Sequence, residues 1–463
     1  MNVLLVQPIK EKRHTLNLMP PLGLGYVAEA IRQRHKVTIL DCVKEEFSLN
    51  DFLSYLKDNK PDVIGFTVFS CDLENVRKSI SLIKETFPDM LTVVGGPHPS
   101  CDPEGTFGYL DKLDFAFAGE AEIGFPVFLD ALEAKRENIL FPQIPGLVYR
   151  HNGRINRNKS VLSENLDSLG FPSWDLIRPD TYRGVPNGVF TKQNPFAPII
   201  ATRGCPYLCT FCAAHNIVGR KIRSRSIDNV IKEIELLHDA YGIREIHIED
   251  DNFTFNIAYA KEFCRRIIAM KLGITFSCPN WIRLDRVDKE LLMLMKKAGF
   301  YNIYVGVESG SEKILKHMKK SLSLQEISDK VDLIKECGLE ASAYFILGYP
   351  EETLDDINKT IKYAKSLNLD WAQFATFIPL PGSEISASGG IKDCLKNSSY
   401  GDYFNTEVPY APAGISREQL KKLQRQAFLS FYLRPGKIKN LLRKINRHNW
   451  KLILRRVASY ILS

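Results

Sequence analysis

Short apolar runs alternate with longer amphipathic stretches over the first 135 residues of the 463-residue chain. The short runs are rich in β-branched residues, as strands are, and the longer stretches have apolar residues at helical spacing. The predicted strands are 2–7, 36–41, 62–67, 91–95 and 114–118, and the predicted helices are 22–34, 49–59, 72–86 and 122–134. This alternation predicts a doubly wound, Rossmann-like α/β domain with a parallel sheet over residues 1–135.

A doubly wound sheet binds its ligands at the carboxyl ends of its strands. Gly95, Gly96 and His98 follow the fourth predicted strand, and Gly119 and Glu120 follow the fifth. Adjacent glycines let the backbone approach a large planar or phosphate-bearing ligand, although a tight turn alone also explains them. The pattern therefore indicates a candidate ligand site and leaves both interpretations open.

The alternation returns over residues 196–385, beginning with a short apolar strand at about residue 198. The further predicted strands are 244–249, 274–278, 302–307, 341–347 and 372–378, and the predicted helices are 226–241, 256–272, 287–298, 311–318, 324–337 and 353–367. Six such units predict a partial (β/α)6 barrel of the TIM type, open on one side. Its reactive loops should lie at the carboxyl ends of the strands.

Two further regions complete the predicted organisation. Residues 136–195 form a connector with a hairpin at 146–156, which turns at 151–153, and loops packed over a neighbouring domain. Residues 386–463 form a helical region that ends in a basic tail.

The basic charge of the chain is concentrated in that tail. Residues 416–463 contain 13 lysines and arginines and one acid, whereas the first 415 residues contain 49 basic and 53 acidic residues. The mildly acidic body argues against nucleic acid as a partner, and the tail either caps the domains or lies on an anionic membrane surface. The chain has no apolar run of about 18 residues and no signal peptide, which predicts a cytoplasmic protein.

Three cysteines, Cys205, Cys209 and Cys212, follow the first strand of the second half in a Cys-x3-Cys-x2-Cys loop. Three thiolates can hold three irons of a [4Fe–4S] cluster and leave the fourth iron open to another ligand. A structural zinc site would need a fourth protein ligand, which His215 could supply.

This loop, with the aromatic Phe211 before its last cysteine, resembles the cluster loop of the radical SAM superfamily. The resemblance implies that the open iron binds S-adenosylmethionine (SAM) and that one-electron cleavage yields a 5′-deoxyadenosyl radical. It also implies SAM-contacting residues after later strands, within Glu249–Phe253, Gly306–Gly310 and Tyr344–Glu351. The candidates are Phe211, Asp250, Asp251, Glu308, Ser309, Ile346 and Gly348.

Each of these later positions also has an ordinary structural explanation. Asp250 and Asp251 could cap a helix, Glu308 could be a surface acid, and Gly348 could belong to a simple turn. Arg223 and Arg225, before the next helix, could either bind the SAM carboxylate or be solvated.

The first domain resembles the cobalamin-binding domain of B12-dependent radical SAM proteins. The resemblance rests on the opening strand, Pro20–Gly23, the GGPHPS segment at 95–100 and the AGEAE segment at 118–122. It implies that cobalamin contacts Gly95, Gly96, His98, Gly119 and Glu120. An Asp-x-His-x-x-Gly segment is missing from the sequence, so no protein histidine is expected to coordinate the cobalt.

The two resemblances together imply methyl transfer from methylcobalamin to an unactivated carbon, with no individual catalytic residue identifiable from the sequence. The alternatives are a cobalamin-dependent cyclase or rearrangement enzyme of a lipid or pigment pathway, and a non-catalytic cobalamin or redox sensor. The implied partners are a small-molecule or lipid-like substrate and an electron donor such as flavodoxin or ferredoxin.

Overall fold

A computed structural model describes residues 1–10, 18–134, 141–182, 191–388, 391, 400, 403 and 407–438. The strands of its first sheet are β1 (Asn2–Gln7), β2 (Lys36–Asp41), β3 (Val63–Thr67), β4 (Leu91–Gly95), β5 (Phe115–Phe117), β6 (Leu147–His151) and β7 (Arg154–Arg157). They lie in the order β2-β1-β3-β4-β5-β6-β7. The first five are parallel, and the β6–β7 hairpin extends the sheet in antiparallel fashion. The five predicted strands and the predicted hairpin are confirmed.

Helices cover both faces of this sheet. They are α1 (Leu22–Ile31), α2 (Leu49–Asn59), α3 (Leu73–Thr86), α4 (Pro97–Cys101), α5 (Pro103–Tyr109) and α6 (Gly124–Glu133). The short α4 and α5 were not predicted, because the three prolines of this segment indicate a loop. Two of these prolines open the helices, where a missing N–H costs no hydrogen bond.

The connector contributes α7 (Trp174–Ile177), and the second sheet follows it. Its strands are β8 (Phe196–Ile199), β11 (Glu245–Ile248), β12 (Thr275–Ile282), β13 (Phe300–Glu308), β14 (Glu340–Leu347) and β15 (Trp371–Thr376), and a separate ribbon is formed by β9 (Thr202–Arg203) and β10 (Arg223–Ser224). The six strands are parallel and ordered β15-β14-β13-β12-β11-β8, with the two edges unpaired with each other. The predicted open six-stranded barrel is confirmed.

The helices of this second half pack on one side of the sheet around the largest apolar core. They are α8 (His215–Val218), α9 (Ile227–Tyr241), α10 (Ile257–Met270), α11 (Lys289–Ala298), α12 (Glu312–His317), α13 (Leu324–Glu336) and α14 (Leu354–Ser366). Most begin at a Ser, Thr, Asn or Asp whose side chain accepts a hydrogen bond from the first turn.

The last described helix, α15 (Arg417–Tyr432), covers the edge strand β15. The Tyr432 hydroxyl bonds both backbone groups of Ala372, and the Gln424 amide donates to the Phe374 carbonyl over 2.8 Å. An edge strand is thereby covered, so the first part of the tail is a structural cap.

The tail from residue 439 on lies outside the described residues. In the part of the chain that is described, no helix combines the length and apolar character needed to cross a bilayer.

Candidate active site

The cysteine loop begins after β9 and ends at α8. At the base of the loop, the backbone at Gly204 lies directly against the backbone at Lys221. A Cβ on Gly204 would be 2.2 Å from the Lys221 carbonyl oxygen, and the φ of Gly204 is +102°, so this position requires glycine. Cys205, Cys209 and Cys212 are free thiols and are half-buried. Burial, with the neighbouring thiols adding, raises the pKa of Cys212 to about 11. Three free thiols on one loop at a strand end fit the donor set of a [4Fe–4S] cluster with one open iron.

Thr210 anchors the loop between its second and third cysteines. Its hydroxyl lies 2.7 Å from the buried Tyr349 hydroxyl and donates to the His317 carbonyl over 3.2 Å. Phe211 and Ile346, two predicted site residues, pack against the same apolar cluster. The structure therefore brings the cysteine loop and the carboxyl end of β14 together.

Asp250 holds the turn that leads into the cysteine loop. Its carboxylate accepts hydrogen bonds from the backbone N–H groups of Ala201 and Thr202, at 2.7 and 2.8 Å, and from the Thr202 hydroxyl at 2.7 Å. Burial outweighs these bonds and raises its pKa to about 7. The helix-cap alternative is wrong, because Asn256 caps α10.

Asp251 lies beside the same turn. Its carboxylate accepts a long hydrogen bond of 3.4 Å from the Gly204 N–H, and burial raises its pKa. Contact of either aspartate with SAM stays a prediction.

Glu308 is a buried, strained residue at the end of β13, and not a surface acid. Its φ is +67°, which is unfavourable for a residue other than glycine, and its carboxylate lies 2.9 Å from the Lys320 ammonium. Burial opposes the charge of Lys320, but Glu308 and Cys209 raise its pKa above the ordinary value. Lys320 was missed from the sequence, because the Lys319–Lys320 pair has the pattern of a solvated helix end.

Ser309 and Gly348 lie behind the site and shape its loops. The Ser309 hydroxyl lies 3.1 Å from the Thr360 hydroxyl and accepts a bond from the Ser311 N–H. A Cβ on Gly348 would lie 2.3 Å from a methyl group of Leu420 in α15, and the φ of Gly348 is +81°. The turn at Gly348 is therefore required by the packing of the tail helix.

Alternate residues of two neighbouring barrel strands face away from the core. On β13 these are Tyr304, Gly306 and Glu308, and on β14 they are Tyr344 and Ile346. The rings of Tyr304 and Tyr344 are 5.9 Å apart. This concave strip is largely apolar and adjoins the cysteine loop through Phe211.

The carboxyl end of β4 forms the candidate cobalamin face. A Cβ on Gly95 would meet nothing within 4 Å, whereas Gly96, with φ +98°, lies close to Val68. His98 is buried, its Nδ1 lies 2.9 Å from the Ser70 hydroxyl, and its Nε2 has no hydrogen-bond partner among the described residues. Burial lowers the pKa of His98 to about 4. The open space at Gly95 fits a bulky cofactor, whereas the His98 ring is packed 5.2 Å from the ring of Tyr400.

Glu120, a further predicted cobalamin residue, is engaged by arginines of the barrel. Its two oxygens accept hydrogen bonds from Arg223 at 2.6 and 2.9 Å, and Arg203 lies 3.2 Å away. The solvated interpretation of Arg223 is wrong, because its guanidinium is buried against Glu120, and its contact with SAM stays a prediction. Arg225 is likewise buried and pairs with Glu233.

The two candidate faces meet at α4. The Cys101 thiol lies 3.7 Å from the Ala213 carbonyl, next to the last cysteine of the loop. Gly382, after β15, is packed on the Cys101 carbonyl, 3.0 Å from where its Cβ would stand. The carboxyl ends of β4 and of the first barrel strand therefore face one region.

Comparison with known proteins agrees with this architecture. The family model described as the radical SAM superfamily matches residues 199–364, and the B12 binding domain model matches residues 13–129. An uncharacterized methyltransferase of Pyrococcus horikoshii is 33% identical over 100% of this chain and 98% of its own length. Cytidylyl-2-hydroxyethylphosphonate methyltransferase of Streptomyces wedmorensis is 28% identical over 81% of this chain and 78% of its own.

A solved structure shares the whole fold. The cobalamin-dependent SAM radical enzyme OxsB, with aqua-cobalamin and SAM bound, has a TM-score of 0.75 and 17% identity, covering 100% of this chain and 72% of OxsB. The two family models imply a [4Fe–4S] cluster, SAM and cobalamin as cofactors. The chain belongs to the cobalamin-binding radical SAM proteins.

Proposed function

We propose that this protein is a cobalamin-dependent radical SAM methyltransferase that methylates an unactivated carbon of a small molecule. The observation that carries the proposal is its end-to-end similarity to a relative named as a methyltransferase, which spans both domains and the C-terminal helical region. The contact between α4 and the cysteine loop supports it, because methyl donor and radical source must reach the same substrate.

When bound, the cluster with SAM supplies a carbon-centred radical, and cobalamin supplies the methyl group. Cys205, Cys209 and Cys212 would hold the cluster. Thr210 holds the middle of their loop against Tyr349, and Asp250 holds the turn that precedes it. These bonds limit the movement of the loop that would hold the cluster, and fixed geometry is what a reaction between bound partners requires.

The concave strip favours a substrate with an aromatic or aliphatic body. Tyr304, Tyr344 and Ile346 offer largely apolar surface, and the charges of Glu308 and Lys320 beside them neutralise each other. Such a lining with few charged groups is typical of small-molecule sites. A lipid-like or pigment substrate fits this description.

The electron donor, the cytoplasmic location and membrane contact of the tail remain expectations.

The proposal is tested by anaerobic reconstitution with iron, sulfide and hydroxocobalamin, followed by turnover with a low-potential chemical reductant and SAM that has a trideuterated S-methyl group. The substrate source is a metabolite extract of the native organism. We expect 5′-deoxyadenosine and a metabolite that gains the trideuterated methyl group, both detected by mass spectrometry. Cys209→Ala, treated identically, should give neither product.

Other outcomes separate the alternatives. A metabolite that loses hydrogen without gaining the label, together with 5′-deoxyadenosine, would indicate a cyclase or rearrangement enzyme. Cofactor binding with no SAM cleavage in any extract would indicate a sensor. Either result would overturn the methyltransferase proposal.

A further inference from the structure

Two buried arginines face each other at the base of the cysteine loop. The β9–β10 ribbon pairs Arg203 directly with Arg223, and the loop between them contains all three cysteines. The two arginines are only 7% and 4% exposed. Like charges opposite each other in a ribbon repel, and a guanidinium does not lose its proton in a protein. Closure of the loop therefore needs anions from elsewhere.

Those anions come from the first domain. Glu120 accepts two hydrogen bonds from Arg223, and Arg203 lies 3.2 Å from Glu120 and 2.8 Å from Glu122. All four side chains are at most 8% exposed. Two carboxylates of the first domain thus pair with two guanidiniums in a dry environment, where an unpaired charge is very unfavourable, and the barrel's own Asp251 carboxylate lies near both arginines.

Arg223 also binds the loop itself and the connector. Arg223 donates to the Val218 carbonyl at 2.9 Å, on the far side of the cysteines, and to the Ser163 carbonyl at 2.8 Å. The Cys205 N–H donates to the Gly219 carbonyl at 3.3 Å. The ribbon and these bonds hold the first and the last residues of the loop together.

On the other side, the glutamate turn is bonded to the candidate cobalamin face. The Gly119 N–H donates to the Ser100 hydroxyl in α4 over 2.9 Å, and α4 directly follows Gly96. The φ of Gly119 is +83°, and a Cβ there would lie 2.8 Å from Ser160. A continuous series of short contacts thus runs from the end of β4 through Glu120 to Cys205.

We propose that Glu120 and Glu122 are positioning residues, which hold the cysteine loop in place relative to the cobalamin-binding loops by neutralising Arg203 and Arg223. This role differs from the direct cobalamin contact that the family resemblance implies for Glu120. The inference rests on the two cofactors and not on methyl transfer, so it stands even if the reaction is a cyclisation.

The test measures the separation of the cofactors in the holoenzyme. With cobalamin as Co(II) and the cluster reduced by one electron, both are paramagnetic, and pulsed electron paramagnetic resonance reports their dipolar coupling. Glu120→Gln keeps the shape of the side chain and removes its charge. We expect the narrow distance distribution of the wild type to broaden or shift. Glu120→Asp, which keeps the negative charge, should disturb the distance distribution less than Glu120→Gln does.

Glu164→Gln is the matched control. It removes the partner of Lys221 in the same loop, but this pair is exposed, with side chains 69% and 73% accessible. A wild-type distance distribution in Glu120→Gln, or equal broadening in Glu164→Gln, would overturn the proposal. If Glu120→Gln does not fold, Glu122→Gln is measured in its place, since it removes a single contact of Arg203. Failure of the wild-type protein to bind both cofactors would instead contradict the proposed function.

Discussion

The two parallel sheets of this protein use their faces differently. In the first sheet, β1 sends Leu4 and Val6 into one apolar core and Val3 and Leu5 into another. In the barrel sheet, the alternate residues of β13 that do not enter the core include Tyr304 and Glu308. A sheet covered on both faces by apolar cores can bind a ligand only at its strand ends, whereas the inner face of a curved sheet can also line a ligand site.

From this difference we expect the cofactors to bind at separate places. The first sheet presents Gly95, Gly96 and His98 at a strand end, which suits a large cofactor held at its rim. The barrel presents a cysteine loop at the strand ends and a largely apolar strip that adjoins it, which would hold the cluster and a substrate respectively. We therefore expect substitutions at the end of the first sheet to affect cobalamin binding. In the barrel, we expect substitutions on the core face to affect stability and those on the concave face to affect SAM or substrate binding.

The largest effect is expected at the cysteine loop. Cys209→Ala should abolish both the iron–sulfur cluster and the formation of 5′-deoxyadenosine, because three thiolates are the minimum that holds the cluster. Cys264→Ala is the control, since this thiol is buried in the core away from the loop. Iron content after reconstitution and product analysis check both. A cluster retained in Cys209→Ala would contradict the ligand assignment.

Adjacent residues of β14 test the two faces of the barrel sheet. Phe345→Ala should lower the free energy of unfolding by about 3–5 kcal/mol, because it empties a fully buried position beside Phe374. Tyr344→Ala, on the concave face, should cost less, about 1–2 kcal/mol, because its ring is only half-buried, and it should weaken SAM or substrate binding. Urea unfolding and calorimetric titration with SAM measure these effects. Equal stability losses would show that the concave face is part of the core.

The rim of the first sheet is tested by filling the space at Gly95. Gly95→Leu should weaken hydroxocobalamin binding by about tenfold or more, because the added side chain takes the place of the ligand. Folding should be unaffected, as nothing lies within 4 Å of the new Cβ. Gly108→Leu in α5 is the control, where the surrounding space is also open. Visible absorption after gel filtration measures retained cobalamin. If Gly95→Leu retains cobalamin as the wild type does, the cobalamin site lies elsewhere.

The smallest effect concerns a carboxyl group buried behind the barrel strand ends. Burial raises the pKa of Glu352 to about 8, although the N–H groups of Gly348 and Tyr349 donate to it. Between pH 4.5 and about 8 the folded state holds a proton that the unfolded state has lost. The free energy of unfolding should therefore fall with rising pH, by at most about 1.4 kcal/mol per unit.

Glu352→Gln should remove this contribution, since an amide keeps one acceptor oxygen and does not ionise. Glu235→Gln, at an exposed position of α9, is the control. Urea unfolding at several pH values measures the slopes. An unchanged slope in Glu352→Gln would show that Glu352 is ionised in the folded protein.

Most of the fold could be predicted from the sequence, because periodic apolar positions report local burial. The short α4 and α5 could not be predicted. Three prolines in this segment suggest a loop, and whether a helix starts after Gly96 depends on the backbone turn there, which the sequence does not reveal. Of the site, the cysteine triplet was recognisable by spacing. The buried states of Glu308 and Lys320 were not, because a lone charged residue at an element end is usually solvated.

By itself, the sequence determined the two alternating α/β halves, the cysteine loop and the glycines at the strand ends, since each is encoded within a few neighbouring positions. Only the tertiary structure decided which strand face lines the inside of the barrel and which charges meet. Glu120 and Arg223 are 103 positions apart. Their pairing follows from the docking of two domains, and the partner of a buried charge depends on such long-range packing rather than on local pattern.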